Sequence, residues 1–192
     1  GYNGTTIKHI ASNLGISLGN MTYYFKTKDA IVMDIFVDYI NNIYDFIKDK
    51  VDPAANSYYR HFFVSIIFYK VILSNPNNKR FFGEIMQKKS FYHIVYHRIS
   101  DIYRDIIRDY NLRISAAEYE RIVIADFGAR REVMLSYLSG DIVMPVEDLA
   151  IFLLSNTSKL LGVQEVHLYK NSFQAYTVSK KYDYSKIHLL IP

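Results

Sequence analysis

The sequence predicts an all-α protein, because helical spacing recurs along it and no segment shows the alternation of a half-buried strand. Apolar residues return every three or four positions in one segment after another. The breaks between these segments contain proline, glycine or asparagine, which end helices and form turns. With 192 residues, of which 50% are hydrophobic, the chain is long enough to bury a substantial core.

The first predicted helix follows a threonine cap, Thr5 or Thr6, and has an amphipathic stripe at i, i+3, i+4 and i+7. This stripe consists of Ile7, Ile10, Ala11 and Leu14. Gly15 then provides the left-handed position that ends a helix, and Ser17 can cap a second short helix. Two short helices joined by such a turn are typical of a helix-turn-helix.

The second helix is predicted to have an inward and an outward face. The inward face consists of Met21, Tyr24 and Phe25, and the outward face of Gly19, Asn20, Thr22 and Tyr23. Residues 1–28 contain three lysines and no acidic residue, so this end can approach phosphates without repulsion. Gly19 allows close approach to a groove, and Asn20 can pair with an adenine edge. Thr27 is predicted to cap a third helix with Lys28 in its first turn, a good site for a phosphate.

These residues resemble the N-terminal motif of the tetracycline-repressor (TetR) family of transcriptional regulators. The family pattern is roughly Thr-x-x-x-Ile-Ala, then Gly-Val-Ser-x-Gly-x-Leu-Tyr-x-Tyr-Phe-x-Ser/Thr-Lys. The matching positions are Thr6, Ile10, Ala11, Gly15, Ile16, Ser17, Gly19, Met21, Tyr24, Phe25, Thr27 and Lys28. The resemblance covers only about the first 35 residues, and the remainder is similar in layout alone.

The resemblance implies a DNA-binding surface formed by Thr6, Ser17, Leu18, Gly19, Asn20, Thr22, Tyr23 and Lys28. Within it, the implied phosphate contacts are Thr6, Tyr23 and Lys28, and the implied base contacts are Leu18, Gly19 and Asn20. Two positions depart from the pattern. Thr22 replaces a tyrosine and has a shorter reach, and Leu18 replaces a frequent lysine but can contact a thymine methyl.

The family's first helix would precede Gly1. Without that helix, Ile7, Ile10 and Phe25 are expected to be partly uncovered. We therefore expect roughly fifteen to thirty further residues upstream, enough for one ordinary helix and an arm.

A long third helix is predicted from about Thr27 to Lys50, with Asp52-Pro53 ending it. Its apolar residues at i+4 spacing are Ile31, Ile35, Tyr39, Ile43 and Ile47. The boundary between a DNA-binding domain, residues 1–45, and a helical body, residues 46–192, is expected inside this helix. A rigid shared helix can transmit a shift in the body to the DNA-binding domain.

Six further helices are predicted, at about residues 53–74, 77–88, 90–110, 115–138, 145–161 and 164–181. The turn signals between them include Asn75-Pro76, Ser139-Gly140 and Gly162. The tail after about residue 181 has no pattern that assigns it a structure.

The body is rich in aromatic residues, which suit either an ordinary core or a pocket for a flat or amphipathic ligand. The resemblance implies a pocket for an effector, with Phe62, Tyr69, Tyr92, Tyr96 and Phe127 as candidates. Between residues 79 and 113 there are eight basic residues against four acidic ones. This excess indicates a solvated helix face, an anionic effector or a second nucleic-acid contact.

His93, His97 and Asp101 lie at successive i+4 positions and are weak candidates for a divalent metal site. The alternative is a solvated helix face with a His–Asp pair. The sequence otherwise indicates no cofactor.

In the family, two late helices pack against their copies to form a dimer. The helices at about residues 115–138 and 145–161 are the candidates here, with Phe127, Met134, Leu138, Leu149, Phe152 and Leu153 on their apolar faces. A two-fold dimer presents two recognition helices, so a palindromic operator is expected.

Other classes of protein are disfavoured by what the sequence lacks. There is no cysteine, no apolar run of membrane-spanning length and no signal peptide, so a cytoplasmic location is the default expectation. There is no nucleophile with a positioned base and no phosphate-binding loop, so an enzyme is not expected. The expected function is a ligand-responsive repressor, and the alternative is a helical ligand- or metal-binding module with a vestigial DNA-binding head.

Overall fold

A computed structural model describes residues 1–52, 55–88 and 91–190, without the side chains of residues 91–95 and 97–99. Within these ranges the chain forms nine α-helices and no β-strand, which confirms the all-α prediction. The helices are α1 (Ile7–Asn13), α2 (Leu18–Tyr24), α3 (Lys28–Ile47), α4 (Ser57–Ser74), α5 (Pro76–Met86), α6 (Phe91–Asp109), α7 (Ala116–Ser139), α8 (Val146–Leu161) and α9 (Glu165–Ser179). Among the described residues, no helix combines the length and the apolar character needed to cross a membrane.

Helix α4 is the centre of the body. It is buried on nearly all sides and packs against α3, α5, α6, α8 and α9. Its sequence is apolar around the whole circumference, as expected of a helix surrounded by other helices. It starts at Ser57, whereas the sequence predicts a start at about Pro53, which lies outside the described residues.

Helix α3 connects α2 to the body, and its buried stripe differs from the predicted one. The buried residues are Val32, Phe36, Tyr39, Ile43 and Ile47, whereas Ile31 and Ile35 are only half-buried. Each i+4 step turns the helix by about 40° more than a full circle, so a straight stripe needs an occasional step of three. That step falls between Phe36 and Tyr39.

The contacts of α3 with the body begin well before residue 45. The ring of Phe36 lies 6.3 Å from that of Phe81 and 6.2 Å from that of Phe82, both on α5. Most of α3 therefore shares the core of the body, and the domain boundary near residue 45 stays a prediction.

The tail after α9 folds back onto the body without forming a helix or a strand over residues 182–190. Its side chains Tyr184, Ile187 and Leu189 are buried. The rings of Tyr182 and Tyr184 lie 6.1 Å and 5.5 Å from that of Phe46, near the end of α3. The tail therefore covers apolar surface at the end of α3 that faces away from α2.

Four of the six residues predicted for a dimer interface are buried in the core of their own chain. These are Phe127, Met134, Leu149 and Leu153, whose side chains fill the space between α7, α8 and their neighbours. The prediction was wrong for them because an apolar helix face does not reveal whether it meets its own core or a second copy. Leu138 is half-buried, and Phe152 is exposed.

Candidate DNA-binding surface and effector cavity

The turn between α1 and α2 has the geometry that the sequence predicts. Gly15 has a φ of +66°, a conformation that side chains with a Cβ rarely adopt. The N–H of Ile16 donates to the carbonyl of Ala11 at 3.1 Å, the hydrogen bond that closes a Schellman motif. This turn fixes the direction of α2 relative to α1.

Three hydroxyl side chains cap the helices that form this end of the molecule. The Oγ1 of Thr6, the Oγ of Ser17 and the Oγ1 of Thr27 accept from the N–H groups of His9, Asn20 and Ala30, at 3.1, 3.1 and 3.2 Å. Each cap satisfies an N–H that has no partner within its helix. Thr6 and Ser17 therefore have structural roles, while each hydroxyl hydrogen remains available for a phosphate oxygen.

The outward face of α2 is exposed as predicted and includes Leu18, Gly19, Asn20, Thr22 and Tyr23. A Cβ added at Gly19 would meet only the Oγ of Ser17, at 4.0 Å. The backbone of α2 is therefore open to close approach along this face, with Asn20 beside it. Thr22 donates its hydroxyl to the carbonyl of Leu18 at 2.9 Å, so that hydrogen is used within the helix.

The inward face of α2 is narrower than predicted. Met21 is buried and Phe25 half-buried, but Tyr24 is 71% exposed, with its ring centroid 5.2 Å from that of Tyr23. Because α1 and α2 have only seven residues each, they bury little of one another beyond Ala11 and Met21. The expected partial exposure of Ile7, Ile10 and Phe25 is observed.

The amine of Lys28 is directed towards the segment before α1. Its Nζ donates to the carbonyls of Tyr2 and Thr5 at 2.6 and 2.8 Å, and lies 3.8 Å from the centroid of the Tyr2 ring. The predicted phosphate contact is therefore replaced, in this structure, by contacts that hold residues 2–5 in place. Lys8 and Lys26 are exposed and can reach phosphates. They were not predicted as DNA contacts, although the lack of acidic residues over residues 1–28 indicates that lysines there can meet DNA without repulsion.

The described residues form nine helices, and the first two of them make a capped helix-turn-helix, a motif that many DNA-binding proteins share. Residues 1–35 match the model of the family "Bacterial regulatory proteins, tetR family". Residues 1–35 therefore carry the DNA-binding motif of the tetR family of transcriptional regulators, as the sequence predicted. No curated protein and no solved structure shows a significant match to the chain.

The body contains a partly open cavity of about 250 Å³ between α3, α4, α5, α6 and α7. Its walls are largely aromatic, with Tyr44, Phe68, Tyr69, Phe82 and Phe127. Two of the predicted pocket residues, Tyr69 and Phe127, line it. Phe62 is fully buried in the core instead, Tyr96 is half-buried against the core, and the side chain of Tyr92 lies outside the described residues.

One wall of the cavity is polar and contains Arg130, whose side chain is almost fully buried. Its Nε donates to the Oδ2 of Asp126 at 2.5 Å, and a second guanidinium nitrogen donates to the Oγ1 of Thr157. Asp126 also accepts from the hydroxyls of Tyr103 and Thr157, the latter at 2.7 Å. This network joins α6, α7 and α8, and Asp126 holds the pKa of Arg130 above its ordinary value against the effect of burial.

His61 on α4 also lines the cavity, and its imidazole is buried. Neither ring nitrogen has a hydrogen-bond partner among the described residues. Burial, with a smaller effect from the positive charge of Arg130, lowers the pKa of His61 to about 3. The imidazole is therefore neutral at pH 7, with one donor and one acceptor to offer.

Of the three candidate metal ligands, the structure describes the side chain of Asp101 alone. The side chains of His93 and His97 lie outside the described residues. Asp101 lines the cavity and forms an ion pair with Arg104 at 3.4 Å. The metal hypothesis stays a prediction.

Proposed function

We propose that the protein is a ligand-responsive repressor that leaves its operator when a small molecule enters the cavity between α3 and α7. The observation that supports this proposal is that one helix borders both sites. Helix α3 starts at Lys28, directly after the recognition helix, and its residues Ile40 and Tyr44 line the cavity. The two sites are thus separated by only about 18 Å of continuous helix.

Helix α5 provides a second connection. Phe82 and Met86 line the cavity, and Glu84 on the same helix accepts the N–H of Asn3 at 2.6 Å. An effector that displaces α5 therefore acts on the segment that precedes α1. For release, the effector must bind the conformation that does not fit the operator more tightly than the one that does.

The repressor is proposed to act as a homodimer on a palindromic operator. Large apolar side chains that are exposed in the single chain support this, above all Phe152 on α8 and Val166, Tyr169 and Phe173 on α9. The three α9 residues lie at i, i+3 and i+7, and so share one face of that helix. Exposed apolar residues in such a group are typical of a surface that another protein covers.

A gel-shift experiment with the DNA upstream of the protein's own gene tests this function. We expect retention of that DNA at physiological salt and weaker retention of a scrambled sequence of equal length. Equal or absent retention of both fragments would instead support the alternative, a ligand-binding body with a vestigial DNA-binding head. Two features favour this alternative. The hydroxyl of Thr22 donates to the carbonyl of Leu18, and the amine of Lys28 donates to the carbonyl of Tyr2, so both groups already have partners within the protein.

A further inference from the structure

The polar wall of the cavity is electrically one-sided. Arg130 lines the cavity, whereas its partner Asp126 is fully buried behind it and does not line it. Both oxygens of Asp126 are occupied, by Tyr103, Arg130 and Thr157. A molecule in the cavity therefore meets the guanidinium before it meets the carboxylate, and a negative group is favoured at this wall.

His61 adds an unused hydrogen-bonding group to the same wall. Leaving a buried imidazole without a partner is unfavourable, and this ring borders the cavity, so a ligand there can supply a partner. A ligand oxygen can accept from this imidazole, and a negative one would also favour its protonation.

Asp101 and Asp105, both on α6, also line the cavity and bring negative charge to it. Their side chains are 67% and 44% exposed, so water screens these carboxylates far more than it screens the buried guanidinium of Arg130. The preference for a negative group therefore holds at the buried wall of the cavity and not at its exposed side. Tyr44 and Tyr69 supply neutral hydroxyl groups from α3 and α4. The rest of the lining is mainly aromatic and aliphatic, which favours a flat apolar body in the ligand.

We propose that the effector is a small aromatic molecule with one anionic oxygen group, a carboxylate or a phenolate, which lies against Arg130 and His61. This inference rests on the proposed function, since it names the class of molecule to which the repressor responds. The aromatic body packs against the rings of Phe68, Phe82 and Phe127, and the anionic group completes the polar wall.

The test compares two probes of almost the same shape, 2-naphthoate and 2-naphthamide, by isothermal titration calorimetry on the full chain at pH 7. We expect naphthoate to bind about tenfold more tightly, because charge-assisted hydrogen bonds are stronger than neutral ones. Equal affinity, tighter binding of the amide, or no binding of either probe at millimolar concentration would overturn the inference.

His61→Leu serves as the matched variant, because leucine has a similar size and leaves the ion pair of Arg130 intact. The variant should bind naphthoate about fivefold more weakly, since a hydrogen bond to a charged group is lost, and its affinity for naphthamide should be nearly unchanged. An unchanged preference for naphthoate would remove His61 from the proposed site.

Gel shifts with both probes separate the two proposals. Release of DNA by the amide alone would refute only the ligand class, and absence of DNA binding would refute the proposed function.

Discussion

Two buried polar groups in the cavity wall, Arg130 and His61, are in opposite situations. Arg130 has hydrogen-bond partners in Asp126 and Thr157, whereas His61 has none among the described residues. A buried group without a partner costs about 1–3 kcal/mol of stability. His61 is therefore a residue at which stability and ligand binding are expected to compete.

His61→Leu is accordingly expected to stabilise the free protein, by about 1 kcal/mol at pH 7. The difference should grow in acid. In the unfolded chain His61 takes up a proton near its ordinary pKa of 6.5. In the folded protein burial lowers this pKa to about 3, so the imidazole stays neutral until the pH is much lower. Stability is thus lost as the pH falls from about 6.5 towards 3.

Between pH 7 and pH 5 the unmodified protein should lose about 2 kcal/mol more free energy of unfolding than His61→Leu. Urea titrations at the two pH values measure this difference. Phe62→Leu, at the neighbouring and fully buried position, is the control and should lower stability at both pH values alike. Parallel losses in the unmodified protein and His61→Leu would show that His61 is not buried in its neutral form.

The two lysines that flank Thr27 are expected to act differently on DNA. Lys26 is exposed, whereas Lys28 donates to the carbonyls of Tyr2 and Thr5. Lys26→Ala should lower the slope of log affinity against log salt concentration by about one, the effect of one lost phosphate contact. Lys28→Ala should lower the melting temperature and change the slope less.

Fluorescence anisotropy over a range of salt concentrations measures both slopes. If Lys28→Ala flattened the slope as much as Lys26→Ala and left the melting temperature unchanged, the amine of Lys28 would have to move to a phosphate in the complex. The sequence alone supports that phosphate contact. The structure does not, because the contacts of Lys28 depend on how residues 2–5 fold over α3.

Among the single helices, α2 is the one proposed to contact DNA, and a close contact depends on the open backbone at Gly19. Gly19→Ala should raise the stability of α2 by up to about 1 kcal/mol, since alanine is the better helix former and nothing obstructs its methyl group. It should also weaken DNA binding by about tenfold, because a methyl group forced into a close contact costs about 1–3 kcal/mol.

Gly128→Ala on α7 is the matched control, since Gly128 is also helical, exposed and open around the position of a Cβ. It should bring the gain in helix stability without any loss of DNA affinity. Anisotropy titrations with the upstream DNA measure both variants. Equal affinities for the two would show that α2 does not approach a groove closely at Gly19.

The helices themselves were largely predictable from local signals. The caps Thr6, Ser17 and Thr27 and the turn at Gly15 follow from short-range chemistry, and the structure has them where the sequence indicates. What local signals cannot give is the partner of each apolar face. Tyr24 was expected to be buried and is exposed, and Met134 and Leu153 were expected at a dimer interface and are buried in the core.

The cavity shows the same division between local and long-range information. Tyr69 and Phe127 were predicted to line it because they are aromatic residues on body helices. Its polar wall was not predicted, because Arg130 and His61 are 69 positions apart in the sequence and meet only when α4 and α7 pack together. Neither residue belongs to a recognisable local motif.

At the scale of the whole molecule, the exposed apolar face of α9 predicts the state of assembly. Phe173 is 73% exposed on this face, and Phe173→Lys places a charge where a second copy is expected to pack. We expect light scattering to give a dimer mass for the unmodified protein and a monomer mass for Phe173→Lys. Val143→Lys, at a position 89% exposed between α7 and α8, is the control and should remain dimeric. A monomeric unmodified protein, or a dimeric Phe173→Lys variant, would contradict this assignment of the interface.

A dimer is proposed to place two copies of α2 on an operator, and DNase I footprinting on the DNA upstream of the gene shows whether it does. We expect two protected half-sites of related sequence, separated by one helical turn of about 34–36 Å or by a multiple of it. At the lowest concentration at which the unmodified protein protects the DNA, protection should persist with Gly128→Ala and be lost with Gly19→Ala. No protected region, a single half-site, or unchanged protection by Gly19→Ala would contradict the claim.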